Sequence, residues 1–289
     1  MSNNLKTTVL LAALMGLFAG LGYLLFGGLN GLVFFLVLAG IFNFGAYWFS
    51  DSLALRMAGA REVSPEAEPG LHAMVAEVAR LAGVPKPRVF VIDTESPNAF
   101  ATGRNPQHAV VAVTTGIRRI LTDRELRAVI GHEMGHVKNR DILTSSIAAT
   151  IAGAISYLQM VVIWGSMFGG GRDREGNGLM ALLAVIIAPI VAAILQMALS
   201  RTREYQADAS GAEYTHDPLS LASALQKLQM GIQMRPMPQT PGTQATSALF
   251  IMHPFRMGEG FSNLFSTHPP IEERIKRLRK MAGYNVEAV

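Results

Sequence analysis

The chain has 289 residues, a formal net charge of +4 and a charged fraction of 16%, whereas about 25% is usual for a soluble protein. The missing charge is localised, because residues 7–50, 144–171 and 176–200 contain no Asp, Glu, Lys or Arg. The chain has no cysteine, which excludes disulfide bonds, thiolate metal sites and a cysteine nucleophile. The composition thus excludes a wholly soluble protein and indicates globular regions interleaved with membrane segments.

Four apolar stretches are long enough to cross a bilayer, which takes about 20 residues. They are residues 7–26, 32–49, 144–168 and 179–199. The first two form a hairpin about a tight turn at residues 27–31, and the last two form a second hairpin. For the second hairpin, the alternative is a buried helical pair of a soluble core, or a pair that only dips into the bilayer. The predicted organisation is a membrane hairpin (residues 1–50), a first soluble block (51–143), a second membrane hairpin (144–200) and a second soluble block (201–289).

Lys and Arg are unevenly distributed around these segments. With four crossings, both termini and both soluble blocks lie on one side, where seven Lys or Arg residues flank the membrane, against two on the other side. Cytoplasmic loops of membrane proteins carry this excess, so both blocks are predicted to face the cytoplasm. The sequence pI of about 9.5 follows from the same asymmetry, and we expect the lipid bilayer rather than nucleic acid as a partner.

The soluble blocks show the spacing of short strands and amphipathic helices. In chain order, the predicted elements include a helix at 66–82, strands at 88–92, 98–103 and 109–113, and a docked surface helix at 271–280. A further helix begins at a capping box formed by Thr122 and Glu125, and it continues through residues 132–136. Residues 235–267, rich in Pro, Thr, Gly and Met, are expected to form a long mobile loop. The predicted fold class is an α+β membrane protein, with four hydrophobic helices and a mostly helical soluble domain that contains a small β-sheet.

The helix predicted after Thr122 carries the motif H-E-M-G-H at residues 132–136. His132 and His136 are about one helical turn apart, so both imidazoles can reach one metal ion. Glu133 lies beside this pair and can accept a proton from a water molecule. A catalytic zinc takes three protein ligands and a water. The motif therefore predicts one Zn²⁺ per chain and requires a third ligand elsewhere.

The identity of the third ligand is limited by the residues that follow. The metzincin extension needs Gly at position 139 and His at position 142, but the chain has Asn139 and Ile142, which excludes that class. A Glu from a second helix is the other common solution. Glu204 follows the fourth apolar stretch, and because the second hairpin leaves and returns on the same face, Glu204 can meet the histidine pair. Asp208, one helical turn further, is then placed to accept the second N–H of a ligating histidine.

The chain resembles a known family in an ordered set of motifs: N-A-F-A-T-G at residues 98–103, H-E-M-G-H, E-Y-Q-A-D at residues 204–208, and T-H-P-P near the C-terminus. They resemble those of the HtpX family of membrane-bound zinc metalloproteases, relatives of the CAAX prenyl proteases and of Oma1, over essentially the whole chain. The resemblance implies a zincin-like (gluzincin) catalytic domain in a bacterial inner-membrane endopeptidase that cleaves unfolded, damaged or misfolded membrane proteins in quality control. The zinc ligands of the family match His132, His136 and Glu204, and its catalytic base matches Glu133.

The resemblance also implies roles outside the ligand set. Asn98 and Ala99, with Phe100 after them, match a segment that pairs with the substrate backbone, which an extended edge strand can do. A plain structural strand is the alternative for these residues. His268 matches a histidine near the transition state, where a developing oxyanion needs a second donor. The alternative for His268 is a histidine in a cap or turn.

Two other functions are compatible with the sequence. An intramembrane protease of the site-2 type also carries H-E-x-x-H, but within a spanning helix. Here the motif is flanked by basic residues that are costly at bilayer depth, namely Arg124, Arg127, Lys138 and Arg140. The other alternative is a membrane scaffold or holdase with a vestigial motif, which the intact Glu133 and Glu204 disfavour.

Overall fold

The computed structural model describes residues 28–150, 201–256 and 269–284, with isolated positions between residues 8 and 23. Its helices are α1 (Gly28–Met57), α2 (Pro69–Ala82), α3 (Thr115–Ile120), α4 (Asp123–Lys138), α5 (described over residues 141–150), α6 (Arg201–Thr215), α7 (Pro218–Met234), α8 (Pro241–Thr246) and α9 (Ile271–Met281). Its strands are β1 (Ala60–Glu62), β2 (Arg88–Ile92), β3 (Ala99–Thr102) and β4 (Val110–Thr114). The described chain is mostly helical and contains a small sheet, as predicted.

The strands form a mixed sheet in the order β1-β2-β4-β3. β2 and β4 are parallel, whereas β1 pairs antiparallel with β2, and β3 pairs antiparallel with β4. The strand predicted at 88–92 is confirmed, and the one predicted at 109–113 lies one residue later. β1 is absent from the predicted elements because its three residues, A-R-E, are too short and too polar to give a strand pattern. β3 is an edge strand of this sheet.

The strands β2, β3 and β4 are buried on both faces, which explains why they are nearly continuous apolar runs. Val89 and Val91 point to one face, which packs against α2, α4, α7 and α9 in the larger core. Phe90 and Phe100 point to the other face, which packs against the end of α1 and against residues 237–255 in a second core. The C-terminal end of the apolar helix α1 is therefore part of the soluble body.

α1 is the one helix in the described part of the chain that is long and apolar enough to cross a membrane. It has 30 residues, and its most apolar 18 residues have a mean hydropathy of 2.0 and are 17% buried. The helix begins at Gly28, whose φ is 74°. Asn30 and Gly31 lie within the helix, so the tight turn expected at 27–31 is wrong for these two residues. Gly within a helix costs only about 1 kcal/mol, too little to end so apolar a helix. The spans predicted at 7–26, 144–168 and 179–199 fall largely outside the described residues and stay predictions.

The described part of residues 235–267 is packed, so the expectation of a long mobile loop is wrong there. α8 begins at its own capping box. After α8, Phe250 is buried, and its ring lies edge-on to that of Phe100 at a centroid distance of 5.1 Å. The Pro, Thr and Gly content of this segment obscured an apolar run, residues 249–252, which enters both cores. Residues 257–268 lie outside the described residues.

The helix that carries the H-E-x-x-H motif begins at the predicted capping box, which is confirmed. The Thr122 side chain accepts a hydrogen bond from the Glu125 amide, and the Glu125 carboxylate accepts one from the Thr122 amide at 2.8 Å. The same carboxylate accepts hydrogen bonds from Ser223 Oγ and Lys227 Nζ of α7, each at 2.7 Å. Burial alone would raise the pKa of Glu125, but these partners lower it to about 2. The ionised Glu125 thus fixes the start of α4 to α7.

Candidate metal centre

His132, His136 and Glu204 converge on one point between α4 and α6. The Nε2 atoms of the two histidines are 3.2 Å apart. Glu204 Oε1 lies 3.5 Å from His136 Nε2, and Glu204 Oε2 lies 3.7 Å from His132 Nε2. Two ligands bound tetrahedrally to Zn²⁺ at about 2.0–2.1 Å are about 3.3–3.4 Å from each other. The structure therefore brings the three predicted ligands together at a spacing that suits a zinc ion.

The close approach of α4 and α6 depends on residues without large side chains. A Cβ atom on Gly135 of α4 would lie 3.0 Å from the Ala207 Cα, and a Cβ atom on Gly211 of α6 would lie 2.5 Å from the His132 amide nitrogen. Packed interiors leave no space for such additions. The contact carries Glu204 across to the histidine pair. The glycine within H-E-M-G-H and the glycine directly before it indicate in the sequence that another helix packs closely here. The ligand prediction did not use them.

Each histidine of the pair has a carboxylate at its other ring nitrogen. His132 Nδ1 lies 2.9 Å from Asp208 Oδ1, and His136 Nδ1 lies 3.3 Å from Asp141 Oδ2. Such partners hold the proton on Nδ1 and leave the Nε2 lone pair for a metal. Asp208 lies beside His132, as predicted from its position one helical turn after Glu204. Asp141, the first residue of α5, is an additional partner that the sequence reasoning missed.

Two buried arginines contact these carboxylates. Arg274 of α9 donates hydrogen bonds from Nε and Nη2 to the two Asp208 oxygens at 2.8 and 2.7 Å, and its Nη1 lies 3.7 Å from Glu204 Oε2. Nη1 of Arg203, on α6, lies 3.5 Å from Asp141 Oδ1. Sequence reasoning missed both arginines. Arg274 did leave a signal, because it falls on the apolar stripe of a helix that otherwise looks like a charged surface helix.

Glu133 is almost fully buried, with 1% of its surface exposed. The backbone amide of Ala101 on β3 hydrogen-bonds its carboxylate, whereas its Oε1 has no hydrogen-bond partner among the described residues. Burial raises the pKa of Glu133, and the two neighbouring histidines offset this only in part. A buried carboxylate with one unpartnered oxygen beside three ligand atoms suits a group that exchanges protons with a water molecule.

The buried charges of the site compensate one another. Burial disfavours protonated His136, but Asp141 and the other carboxylates around it raise the pKa of His136 to about 9. Burial would raise the pKa of Asp208, but Arg274 and the adjacent histidine lower it to about 2. The pKa of Arg274 is raised, because the attraction of the carboxylates outweighs burial. A proton on both ring nitrogens of His136 would have to leave before the imidazole could bind a metal.

Asn98, Ala99 and Phe100, predicted to bind substrate, are all buried. Asn98 donates a hydrogen bond from Nδ2 to the Met252 carbonyl at 2.8 Å, and the Ala99 carbonyl accepts one from the Ile251 amide at 2.9 Å. Phe100 lies in the second core. Residues 251 and 252 therefore occupy the part of the β3 edge that a substrate strand would use, and the substrate role stays a prediction.

His268, predicted to act near the transition state, lies outside the described residues. The two prolines after it directly precede α9, and Pro270 is the N-cap residue of that helix. α9 then carries Arg274 to the carboxylates of the site. The role predicted for His268 stays a prediction.

The donor set fits a catalytic zinc ion. Two imidazole nitrogens and one carboxylate oxygen are ligands that Zn²⁺ accepts when thiolates are absent, and the unpartnered Glu133 oxygen lies next to them. A helix that supplies H-E-x-x-H and a second helix that supplies Glu form the ligand arrangement of a metallopeptidase. The fold and the site therefore define a protein of this class.

Comparisons with known proteins agree with this class. The sequence profile of Peptidase family M48 matches residues 65–282. A curated relative, the Protease HtpX homolog of Persephonella marina, is 52% identical over 283 residues, which is 97% of this chain and 98% of the relative. The Protease HtpX homolog of Pyrococcus furiosus is 50% identical over 279 residues, which is 96% of this chain and 95% of the relative. The chain belongs to peptidase family M48, in the group of the HtpX proteases, as the motif set predicts.

The fold is also similar to that of a solved structure. The crystal structure of S. mikatae Ste24p matches with a TM-score of 0.51 at 18% sequence identity. The match covers 94% of this chain and 64% of Ste24p, so this chain corresponds to just under two thirds of that protein. At this identity the likeness concerns the fold alone.

Proposed function

We propose that the protein is a membrane zinc endopeptidase that hydrolyses peptide bonds at the centre formed by His132, His136 and Glu204, with Glu133 as general base. One observation carries the proposal: three ligand atoms lie within 4.8 Å of one another, beside a buried carboxylate with an unpartnered oxygen. Membership of family M48 supports the same reaction class.

Each side chain of the site has its own role in the proposed reaction. His132, His136 and Glu204 would hold the ion. When bound, Zn²⁺ polarises the scissile carbonyl and lowers the pKa of a water molecule. Glu133 takes the proton of that water, and its raised pKa suits it to pass the proton to the leaving amine. Asp208 keeps the His132 ring in a ligating orientation.

Removal of the metal is expected to abolish cleavage reversibly. Purified protein treated with a zinc chelator should stop hydrolysing an unfolded substrate such as casein, and about one equivalent of Zn²⁺ per chain should restore the activity. Mg²⁺ serves as the control and should not restore it, because Mg²⁺ prefers an all-oxygen octahedral site. Full cleavage by protein whose zinc content is close to zero would contradict the proposal, whereas no cleavage by zinc-loaded protein would favour the scaffold alternative.

We further propose that substrate pairs with the outer edge of β3 at Asn98 and Ala99. The edge runs past the site, since the Ala101 amide bonds the Glu133 carboxylate. An extended substrate on this edge would take over the Ala99 carbonyl, which the Ile251 amide uses in this structure. Main-chain pairing of this kind tolerates varied side chains, as an enzyme acting on many unfolded proteins requires.

The pairing proposal predicts an alternating effect of backbone methylation in a peptide substrate. Only every second N–H of a strand faces its neighbour, so N-methyl groups at alternate positions should lower kcat/KM about 3–10-fold each, which corresponds to one lost hydrogen bond. Methyl groups at the intervening positions provide the matched control within the same peptide. A uniform effect along the peptide would show that β3 does not pair with substrate.

We propose that the protein is a multi-pass inner-membrane protein whose hairpins are residues 1–50 and 144–200, and whose soluble blocks face the cytoplasm. Ligands from both blocks, His136 and Glu204, meet in one site, and this requires the two blocks to lie on the same side. The apolar helix α1 supports membrane attachment. Damaged or misfolded membrane proteins are the expected substrates of a site that lies beside the membrane. Their degradation would serve membrane quality control.

The orientation predicts the location of the C-terminus. A reporter that is active only in the cytoplasm, fused after Val289, should be active, and a reporter active only in the periplasm should be silent at the same position. The opposite pattern would reverse the orientation while leaving the chemistry of the site unaffected.

The contacts around α4 disfavour an intramembrane site of the site-2 type. Arg124 pairs with Asp217 at 3.0 Å, and Arg127 pairs with Glu77 at 2.8 Å. These arginines are partly or largely exposed and bind acidic residues of the soluble body, whereas charges at bilayer depth are rare and costly. The motif helix therefore belongs to the soluble body beside the membrane segments.

A further inference from the structure

His136 contacts a charged pair that joins the two ends of the second apolar region. Asp141, 2% exposed, has Oδ2 3.3 Å from His136 Nδ1 and Oδ1 3.5 Å from Arg203 Nη1. Asp141 begins α5, which leads into residues 144–200, and Arg203 lies at the start of the described part of α6, which follows them. Asp141 and Arg203 are 62 residues apart in the chain, and they meet directly beside a proposed ligand.

The partner of the other histidine has a different origin. Asp208 and Arg274 both come from the second soluble block, and they bind each other through two hydrogen bonds at 2.8 and 2.7 Å. The orientation of His132 thus depends on contacts within the soluble body. His136 instead contacts Asp141 of the first soluble block, which pairs with Arg203 of the second.

The backbone before Asp141 is in an unfavourable conformation. Arg140 has a φ of 58°, in the left-handed region that residues with a Cβ seldom adopt. This single residue separates the C-cap of α4, Asn139, from α5, and so returns the chain to bring Asp141 to His136. Backbone strain of this kind persists where surrounding contacts impose it, and it concentrates at functional sites.

We propose that Asp141 is a positioning residue for His136 and that Arg203 acts through Asp141. The pair holds the imidazole so that Nε2 faces the other two ligand side chains, His132 and Glu204. This inference rests on the proposed function, because it concerns how that metal centre is assembled. Loss of a carboxylate behind a ligating histidine typically lowers metal affinity 10–100-fold.

The test is a double-mutant cycle in the full-length protein purified in detergent. The variants are Asp141→Ala, Arg203→Met and the two combined. Zn²⁺ affinity is measured by competition with a chelating dye, and thermal unfolding of the chelator-treated protein is measured in parallel. Asp123→Ala, which removes an exposed carboxylate from α4, is the matched control and should retain wild-type affinity. In addition, kcat and KM are measured for the zinc-loaded variants.

We expect Asp141→Ala to lower Zn²⁺ affinity about 10–100-fold. Its effect on kcat should be larger than its effect on KM, because peptide binding does not involve Asp141. Arg203→Met should lower the affinity too, but the double variant should be no worse than Asp141→Ala, because residues acting through one contact are not additive. Removing both charges should recover much of the unfolding temperature lost in the single variants, whereas the affinity should stay low.

Two outcomes would overturn the inference. Wild-type Zn²⁺ affinity in Asp141→Ala would remove its positioning role, and fully additive affinity losses in the double variant would show that Arg203 acts independently. Failure of the proposed function looks different, because wild-type protein itself would then bind no Zn²⁺ or cleave no substrate.

Discussion

Replacing Glu133 with Gln is expected to lower kcat about 10²–10⁴-fold, the usual contribution of a positioned general base, with zinc content unchanged. Gln has the size of Glu, and its carbonyl can still accept the hydrogen bond from the Ala101 amide. The three ligands are untouched, so the ion should remain bound. Only the ability to accept a proton is lost. The measurement is kcat on an unfolded substrate, together with zinc content by elemental mass spectrometry on the same preparation.

The matched control for this variant is Glu213→Gln on α6, where the side chain is exposed; it should keep wild-type kcat. Thermal unfolding separates loss of chemistry from loss of fold. Because burial raises the pKa of Glu133, a neutral amide there should leave the unfolding temperature equal or higher. Wild-type kcat in Glu133→Gln protein that retains its zinc would contradict the role of Glu133 as base.

The parts of the site that follow from short-range patterns could be predicted from the sequence. The capping box of Thr122 and Glu125 and the four-residue spacing of His132 and His136 are both local, so the motif helix and its ligand pair follow from them. The central strand at 88–92 is likewise a continuous apolar run between turn residues. Local patterns of this kind survive tertiary packing because packing reinforces them.

Glu204 required a different kind of inference. Its own surroundings in the sequence do not distinguish it from an ordinary helix carboxylate. It became a candidate because zinc needs a third ligand, because it directly follows the second hairpin, and because E-Y-Q-A-D resembles a motif of the family. The physical cause of its position is the contact of α4 with α6 at Gly135, Ala207 and Gly211. Pairing between helices that are so far apart in the chain leaves only this faint trace of small residues in the sequence.

The two arginines that contact the carboxylates of the site could not be predicted, because their partners are distant in the chain. Arg274 lies 66 residues from Asp208, and Arg203 lies 62 residues from Asp141. In the sequence each is one charge among many, and only burial distinguishes it. The misjudged loop has a similar explanation, since residues 249–252 are ordered by packing against both faces of the sheet rather than by a local pattern.

Replacing Glu204 with Ala is expected to lower Zn²⁺ affinity by roughly 100-fold. Structural zinc sites bind with about 10–16 kcal/mol, so one ligand of three or four contributes about 3 kcal/mol, which corresponds to about 100-fold in affinity. The fold should persist, because Arg274, which lies 3.7 Å from Glu204, keeps its two hydrogen bonds to Asp208. The measurement is chelator competition in the Glu133→Gln background, where the protein cannot digest itself.

Thermal unfolding provides an independent readout of the same change. Zn²⁺ that binds only the folded state raises the unfolding temperature. At equal Zn²⁺ concentration, this rise should be present in protein that retains Glu204 and largely absent in the Glu204→Ala variant. Glu213→Ala on the same helix is the control and should keep the full rise. Among the described residues, His132, His136 and Glu204 are the one set of side chains that converges in this way. An unchanged affinity in Glu204→Ala would therefore move the third ligand to a residue outside the described chain and contradict the His–His–Glu centre.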